Sequence, residues 1–134
     1  MTYKKLLLAL LFLTAGTLVA QTPVPKDAKV TPLITKALAD IPGKEASVFT
    51  VEYGPGGSDP IHRRKAHGFI YVPEGSIVMQ VKGGKEVTLT PGETFYEGPD
   101  DVHIMGRNAG STKPAKFLVV LLKKQGAPIL APES

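Results

Sequence analysis

The chain has 134 residues, 16 Lys and Arg against 12 Asp and Glu, and no cysteine. That length suits one domain, and the missing cysteine excludes disulfides and any lipid-modified cysteine anchor. The formal net charge of +4 is partly a property of the first residues, because without Lys4 and Lys5 the balance is 14 basic against 12 acidic residues. A charge this small leaves no footprint for nucleic acid.

The opening MTYKKLLLALLFLTAGTLVAQTP joins a basic start to an apolar run, Leu6–Ala20, with a cut expected after Leu18-Val19-Ala20. This is the pattern of a secretory signal peptide over residues 1–20. The competing reading is a membrane anchor, but a spanning helix wants about 20 apolar residues and this run is shorter. The expectation is an exported chain, periplasmic or secreted, with no membrane attachment after cleavage. Residues 21–45 then read as a lead and docking arm. QTPVPKDAK is proline-spaced and polar, and is expected to be flexible. Thr31–Asp40 has some helical spacing and reads as a turn of helix or an arm that docks on the body.

From residue 46 to 123 the signals are strands and turns. ASVFTVEY alternates, with Phe49, Val51 and Tyr53 sharing one parity. GPGGSDP reads as a turn cluster. GFIYV is a β-rich run closed by PEG. SIVMQV and EVTLT face each other across KGGK, a hairpin in which glycine supplies positive φ. TFYE and VHIMG are short strands set off by PGE and GPDD, and NAGSTKP is a polar loop. AKFLVVLLKK has helical length, yet it carries β-branched and aromatic residues and no opening cap, which favours a central strand. The tail, 124–134, has prolines and is expected to pack loosely or cover a sheet edge. About eight short strands at roughly ten-residue spacing predict an all-β sandwich or barrel.

The stretch from Gly54 to Leu122 resembles the cupin family in two motifs. The first family pattern is G-x5-H-x-H-x3-E-x6-G, and Gly56, His62 and Gly75 fall in place. The second is G-x5-P-x-G-x2-H-x3-N. Gly92 and His103 match it, Pro99 and Asn108 each stand one place late, and Asp100 replaces the second glycine. The resemblance implies a jelly-roll barrel (a double-stranded β-helix) and a metal site of three histidines and one glutamate at positions 62, 64, 68 and 103. This chain has His62, Arg64, Gly68 and His103 there. Arginine stays charged and offers no lone pair, and glycine has no side chain, so two ligands match and two do not.

Four further readings follow. His67 becomes a third metal ligand beside His62 and His103 if a bulge at Gly68 turns it inward; strand parity opposes that and leaves it on the rim. Arg64 is a ligand-binding residue that clamps an anion, part of a basic lip at Arg63–Lys65, or the partner of Glu52 or Glu97. Glu97 faces inward near His103 as a ligand or base, or ends its strand in solvent. Asp100 and Asp101 belong to the turn before His103, or orient its ring.

No catalytic residue is identified by sequence. The resemblance is closest to small single-domain, quercetin-dioxygenase-like cupins, whose relatives oxidise or isomerise small molecules with iron, manganese, nickel or zinc and commonly form homodimers. The expected function is therefore an exported cupin with an altered metal site at the barrel mouth, acting on or binding a small molecule. The alternative is a metal-free module that binds a small anionic or sugar-like ligand, or a dimeric structural protein.

Overall fold

The computed structural model describes residues 26–132; the signal-peptide reading and residues 21–25 lie outside the described residues. The described chain is ten strands and no helix. They are β1 (Lys26–Ala37), β2 (Lys44–Ser58), β3 (His62–Arg63), β4 (His67–Glu74), β5 (Ile77–Val81), β6 (Val87–Leu89), β7 (Thr94–Glu97), β8 (His103–Asn108), β9 (Ala115–Lys124) and β10 (Ala131–Pro132). They pair in the order β10-β3-β8-β2-β9-β4-β7, with β1 added along β2, β5 on β8, and β6 on β5. Every pairing is antiparallel. The result is a nearly closed jelly-roll barrel, as the two motifs imply.

Alternation builds the interior. On β2 the residues Phe49, Val51 and Tyr53 are buried, and on β9 Ala115, Phe117, Val119 and Leu121 are. The two strands run in register from Lys44↔Lys124 to Tyr53↔Ala115, so their inward rows face one core that also takes Ile70, Val72, Ile77 and Met79. Each of the Val, Leu, Ile, Phe and Met side chains among them contributes about 1.5–3 kcal/mol of apolar burial. The strand reading of AKFLVVLLKK matches β9, which lies between β2 and β4. The same parity carries Glu45 and Lys123 inward at the end of the β2–β9 pair, where both are buried and make an ion pair.

Two expectations are corrected. Thr31–Asp40 is not helical: Lys26–Ala37 is extended and pairs antiparallel along β2. GPGGS is not a turn but the end of β2, where Ser58 pairs with both Lys26 and Arg107. The turns anchored by glycine do appear: Gly75 has φ +73, and a Cβ there would lie 2.7 Å from Ala115 Cα. That position admits no other residue without moving β9. Asn108 knots the loop after β8. Its amide donates to the carbonyls of Tyr53, Gly54 and Lys113 and its oxygen accepts from Gly110 N–H.

Candidate metal centre

Inward parity continues through the irregular link between β3 and β4. His62, Arg64, Ala66, Gly68, Ile70 and Val72 are all buried, and the residues between them are exposed or half-buried. The chain therefore delivers His62 and Arg64 into the barrel by the rule that places Ile70 there. His103 opens β8 directly opposite His62; the two rings lie 4.8 Å apart, tilted by 35°. Glu97 ends β7 opposite Gly68 and is also buried.

The missing glycine side chain and the extra carboxylate are one exchange. A Cβ on Gly68 would stand 3.1 Å from Glu97 Cγ and 3.4 Å from its Oε1. The carboxylate from the neighbouring strand thus fills the room that Gly68 leaves. Position 68, where the family pattern has glutamate, has no acid, and the position paired with it supplies one.

Hydrogen bonding settles which ring nitrogens face inward. A carbonyl oxygen can only accept. His62 Nδ1 lies 2.8 Å from Pro60 O, so Nδ1–H donates and Nε2 carries the lone pair of the neutral ring. Burial, with the Arg64 charge next, holds the His62 pKa below its ordinary value, which favours that neutral form. His103 Nε2 lies 2.5 Å from Met105 O, so Nε2–H donates and Nδ1 faces the interior. Gly106 gives this ring its room, since a Cβ there would come within 2.8 Å of His103 Nε2.

His103 Nδ1 is 3.2 Å from Glu97 Oε2, while Arg64 Nε donates to Glu97 Oε1 at 3.1 Å. The side chains of Arg64 and Glu97 are 4% and 5% exposed. Burial pushes the Glu97 carboxyl up, but His103 contact and the Arg64 charge outweigh it and hold the pKa down at about 2. Glu97 is a carboxylate at any working pH. Nearby, Tyr53 donates its hydroxyl to Asp59 Oδ2 at 2.6 Å; burial and the Asp59 charge raise its pKa, so it stays a phenol.

Two buried side-chain atoms in this cluster, His62 Nε2 and Arg64 Nη1, have no partner, and a third, His103 Nδ1, makes no well-formed hydrogen bond and has only the Glu97 carboxylate beside it. Such atoms cost free energy unless something fills their need. Two of them belong to His62 and His103. With the Glu97 carboxylate, their ligand atoms all lie within 4.8 Å of one another. Two imidazole lone pairs and a carboxylate, each ring tied back to a backbone carbonyl, form a group that can hold a metal ion. Glu97 divides its oxygens, one to Arg64 and one left toward the histidines.

Of the residues named from sequence, the barrel brings together His62, Arg64, Glu97 and His103. It does not bring His67. That side chain is exposed, with Nδ1 2.8 Å from the Tyr96 hydroxyl on the outer face; Gly68 continues the alternation without a bulge. Glu52 pairs with Lys116 near the surface at 3.4 Å instead of with Arg64. Asp101 accepts from Gly98 N–H and Asp100 O accepts from Arg63, so both shape the turn. The sequence reading missed the carbonyls of Pro60 and Met105, which carry no side-chain signal, and Tyr53, whose inward parity with Phe49 and Val51 was visible.

Residues 49–121 match the family model for the cupin domain. No curated protein matches the sequence significantly. Among solved structures, the polyketide cyclase RemF from Streptomyces resistomycificus is 25% identical with a TM-score of 0.62, covering 87% of this chain and 79% of its own. Oxalate oxidase in complex with the substrate analogue glycolate is 24% identical with a TM-score of 0.60. That match covers 78% of this chain and 55% of the oxidase, so the present chain spans about half the oxidase length. A cupin-2 domain protein of Rhodospirillum rubrum is 13% identical with a TM-score of 0.62, covering 82% of this chain and 68% of its own. At such identities the likeness is one of fold.

Proposed function

Since this chain belongs to the cupin family, whose domain model matches more than half of it, we propose that it is a metal-dependent cupin acting on or binding a small molecule. Its divalent transition metal would be held by His62, Glu97 and His103. The observation that carries this reading is the convergence of His62, His103 and the ionised Glu97 carboxylate, whose ligand atoms lie within 4.8 Å of one another, with His62 Nε2 left without a partner. Iron, manganese, nickel and zinc all accept this donor set. When bound, such an ion polarises a substrate oxygen. The chain's own residues hold the rings in one tautomer through Pro60 and Met105, and keep the carboxylate charged through Arg64. That oxalate oxidase is crystallised with glycolate supports a small-molecule ligand. Export to the periplasm or outside, and pairing of two copies, belong to the same proposal and rest on the sequence reading.

A second reading has its own observation. Arg64 Nη1 is buried without a partner, and a guanidinium with a free N–H binds a carboxylate or similar anion. In that reading the barrel is a metal-free binder and Arg64 is its anchor. One experiment separates the two. The protein is purified without chelator, its metal measured by elemental analysis, and its melting followed with Mn2+, Ni2+, Zn2+ or small carboxylates. The metal reading expects about one equivalent of metal and stabilisation by the ion alone. No bound metal, with stabilisation by carboxylate that Arg64→Ala removes, would replace it with the second.

A further inference from the structure

After β9 the chain does not leave the barrel. It turns at Gly126, where φ is +77, and the turn is fixed at its base. Lys123 Nζ pairs with Glu45 and donates to Ala127 O at 2.6 Å, Gly126 N–H donates to Glu45 Oε1 at 3.2 Å, and Ala127 N–H donates to Lys124 O at 3.0 Å. From this base the segment runs to β3, where Ala131 pairs with Arg63 and Pro132 with His62. Between its two attachments, Ile129 and Leu130 lie over Arg64. With Val30, Phe49, Val51, Asp59 and Arg64 they line a narrow, partly open pocket of about 10 Å³.

A space of that size takes about one water. Nothing larger reaches Arg64 by this side while the segment is down. The two attachments are unequal. The base is a buried ion pair with several hydrogen bonds. The tip is a two-residue bridge, and one of those residues is a proline with no N–H to donate. Ile129 is only half-buried against the core. Local opening begins where burial and hydrogen bonds are fewest, which is the tip.

We propose that Pro128–Pro132 is a gate over the His62 and Arg64 side of the site, hinged at Gly126 and held at its base by Glu45 and Lys123. Closed, it narrows this approach to about the width of one water. Lifted from β3, it admits a small ligand or ion. The proposal rests on the reading of the cluster as a ligand site, but access can be measured without any metal.

The chain has no cysteine, so one engineered pair reports alone. Opposed residues of an antiparallel bridge have Cα atoms about 4.5–5.5 Å apart, within disulfide reach. Arg63→Cys with Ala131→Cys therefore locks the tip when oxidised and frees it when reduced, in one full-length, metal-free protein. The readout is the rate at which diethyl pyrocarbonate modifies His62, followed by mass spectrometry, with exposed His67 as the internal control. The gate expects oxidation to slow His62 by roughly tenfold or more and leave His67 unchanged. Ile129→Ala with Leu130→Ala, which weakens the closed state without a crosslink, is expected to speed His62 several-fold. Equal His62 rates in oxidised and reduced protein would overturn the gate. Absence of metal binding in both forms would sink the metal reading instead, and the His62 rates would still decide the gate.

Discussion

Among the described residues two buried charge clusters, one around Glu45 and Lys123 and one around Arg64 and Glu97, differ in what they leave over. At the end of the β2–β9 pair, Lys123 has Glu45 and Ala127 O, and Glu45 has Lys123 and Gly126 N–H. Neither leaves a buried polar atom without a partner. In the cluster between β3, β7 and β8, Arg64 and Glu97 also pair, yet Arg64 Nη1 and His62 Nε2 stand unpartnered and His103 Nδ1 has only the shared Glu97 carboxylate beside it. Both pairs bear the desolvation cost of charges in a barrel. The first recovers it inside the protein, as a structural clip does. The second recovers it only in part, and leaves polar atoms without partners. An incomplete set of contacts in a well-packed interior is what a site for something else looks like.

Substitutions in the two clusters should therefore separate binding from stability. The largest effect is expected from His62→Asn and His103→Gln. Asparagine can keep a donor near the Nδ1 place toward Pro60 O, and glutamine one near the Nε2 place toward Met105 O, while each removes the inward lone pair. Metal affinity is expected to fall by roughly 100-fold or more, read by titration with Ni2+ or Zn2+, with the melting temperature of the metal-free protein moving little. Lys123→Met should do the reverse. It strands a buried carboxylate, so the melting temperature is expected to drop by roughly 10 °C with metal affinity unchanged. If both kinds of variant shift stability alike and neither shifts affinity, the contrast between a clip and a site is wrong.

Much of this was legible because alternation is a strong signal where one face is buried. Phe49, Val51, Tyr53 and the β9 row declared their inward side, and the same parity took His62 and Arg64 inward. The motif spacing brought His103 to them. β1 was misread because it has almost no buried side; its residues are nearly all exposed, and backbone pairing to β2 defines it. Glu97 was legible as an inward candidate, but not as the occupant of Gly68's space, because that depends on the β4–β7 register. His67 misled because it sits one residue from the motif position, and in a strand one residue is the opposite face.

The middle-sized expectation sharpens the site side of the contrast. Arg64 stands where the family pattern has a histidine, facing inward, and its charge lies on the carboxylate that a metal would share. Arg64→His removes that charge and offers another imidazole. Metal affinity is expected to rise about tenfold, read by competition with a chelator of known affinity. An unchanged value would mean that the guanidinium does not compete for Glu97.

The remaining expectation is one of pH. In the folded chain Glu97 titrates at about 2, against an ordinary value of 4.5. A carboxylate with a lowered folded pKa stabilises the fold when ionised in both states, and that contribution fades as pH falls from the ordinary value through the folded one. A difference of this size corresponds to roughly 3 kcal/mol at neutral pH. Glu97→Gln cannot ionise, and it leaves Arg64 without its counter-charge. In metal-free protein the urea midpoints of the two chains should differ most near neutrality. They should draw together below about pH 4.5 and approach one another near pH 2. The Glu45 carboxyl, whose pKa is lowered chiefly by its Lys123 bond, is present in both chains and cancels in the difference. A gap that stayed constant through that range would show that Glu97 contributes by shape, and that the charge of Arg64 does not depend on it.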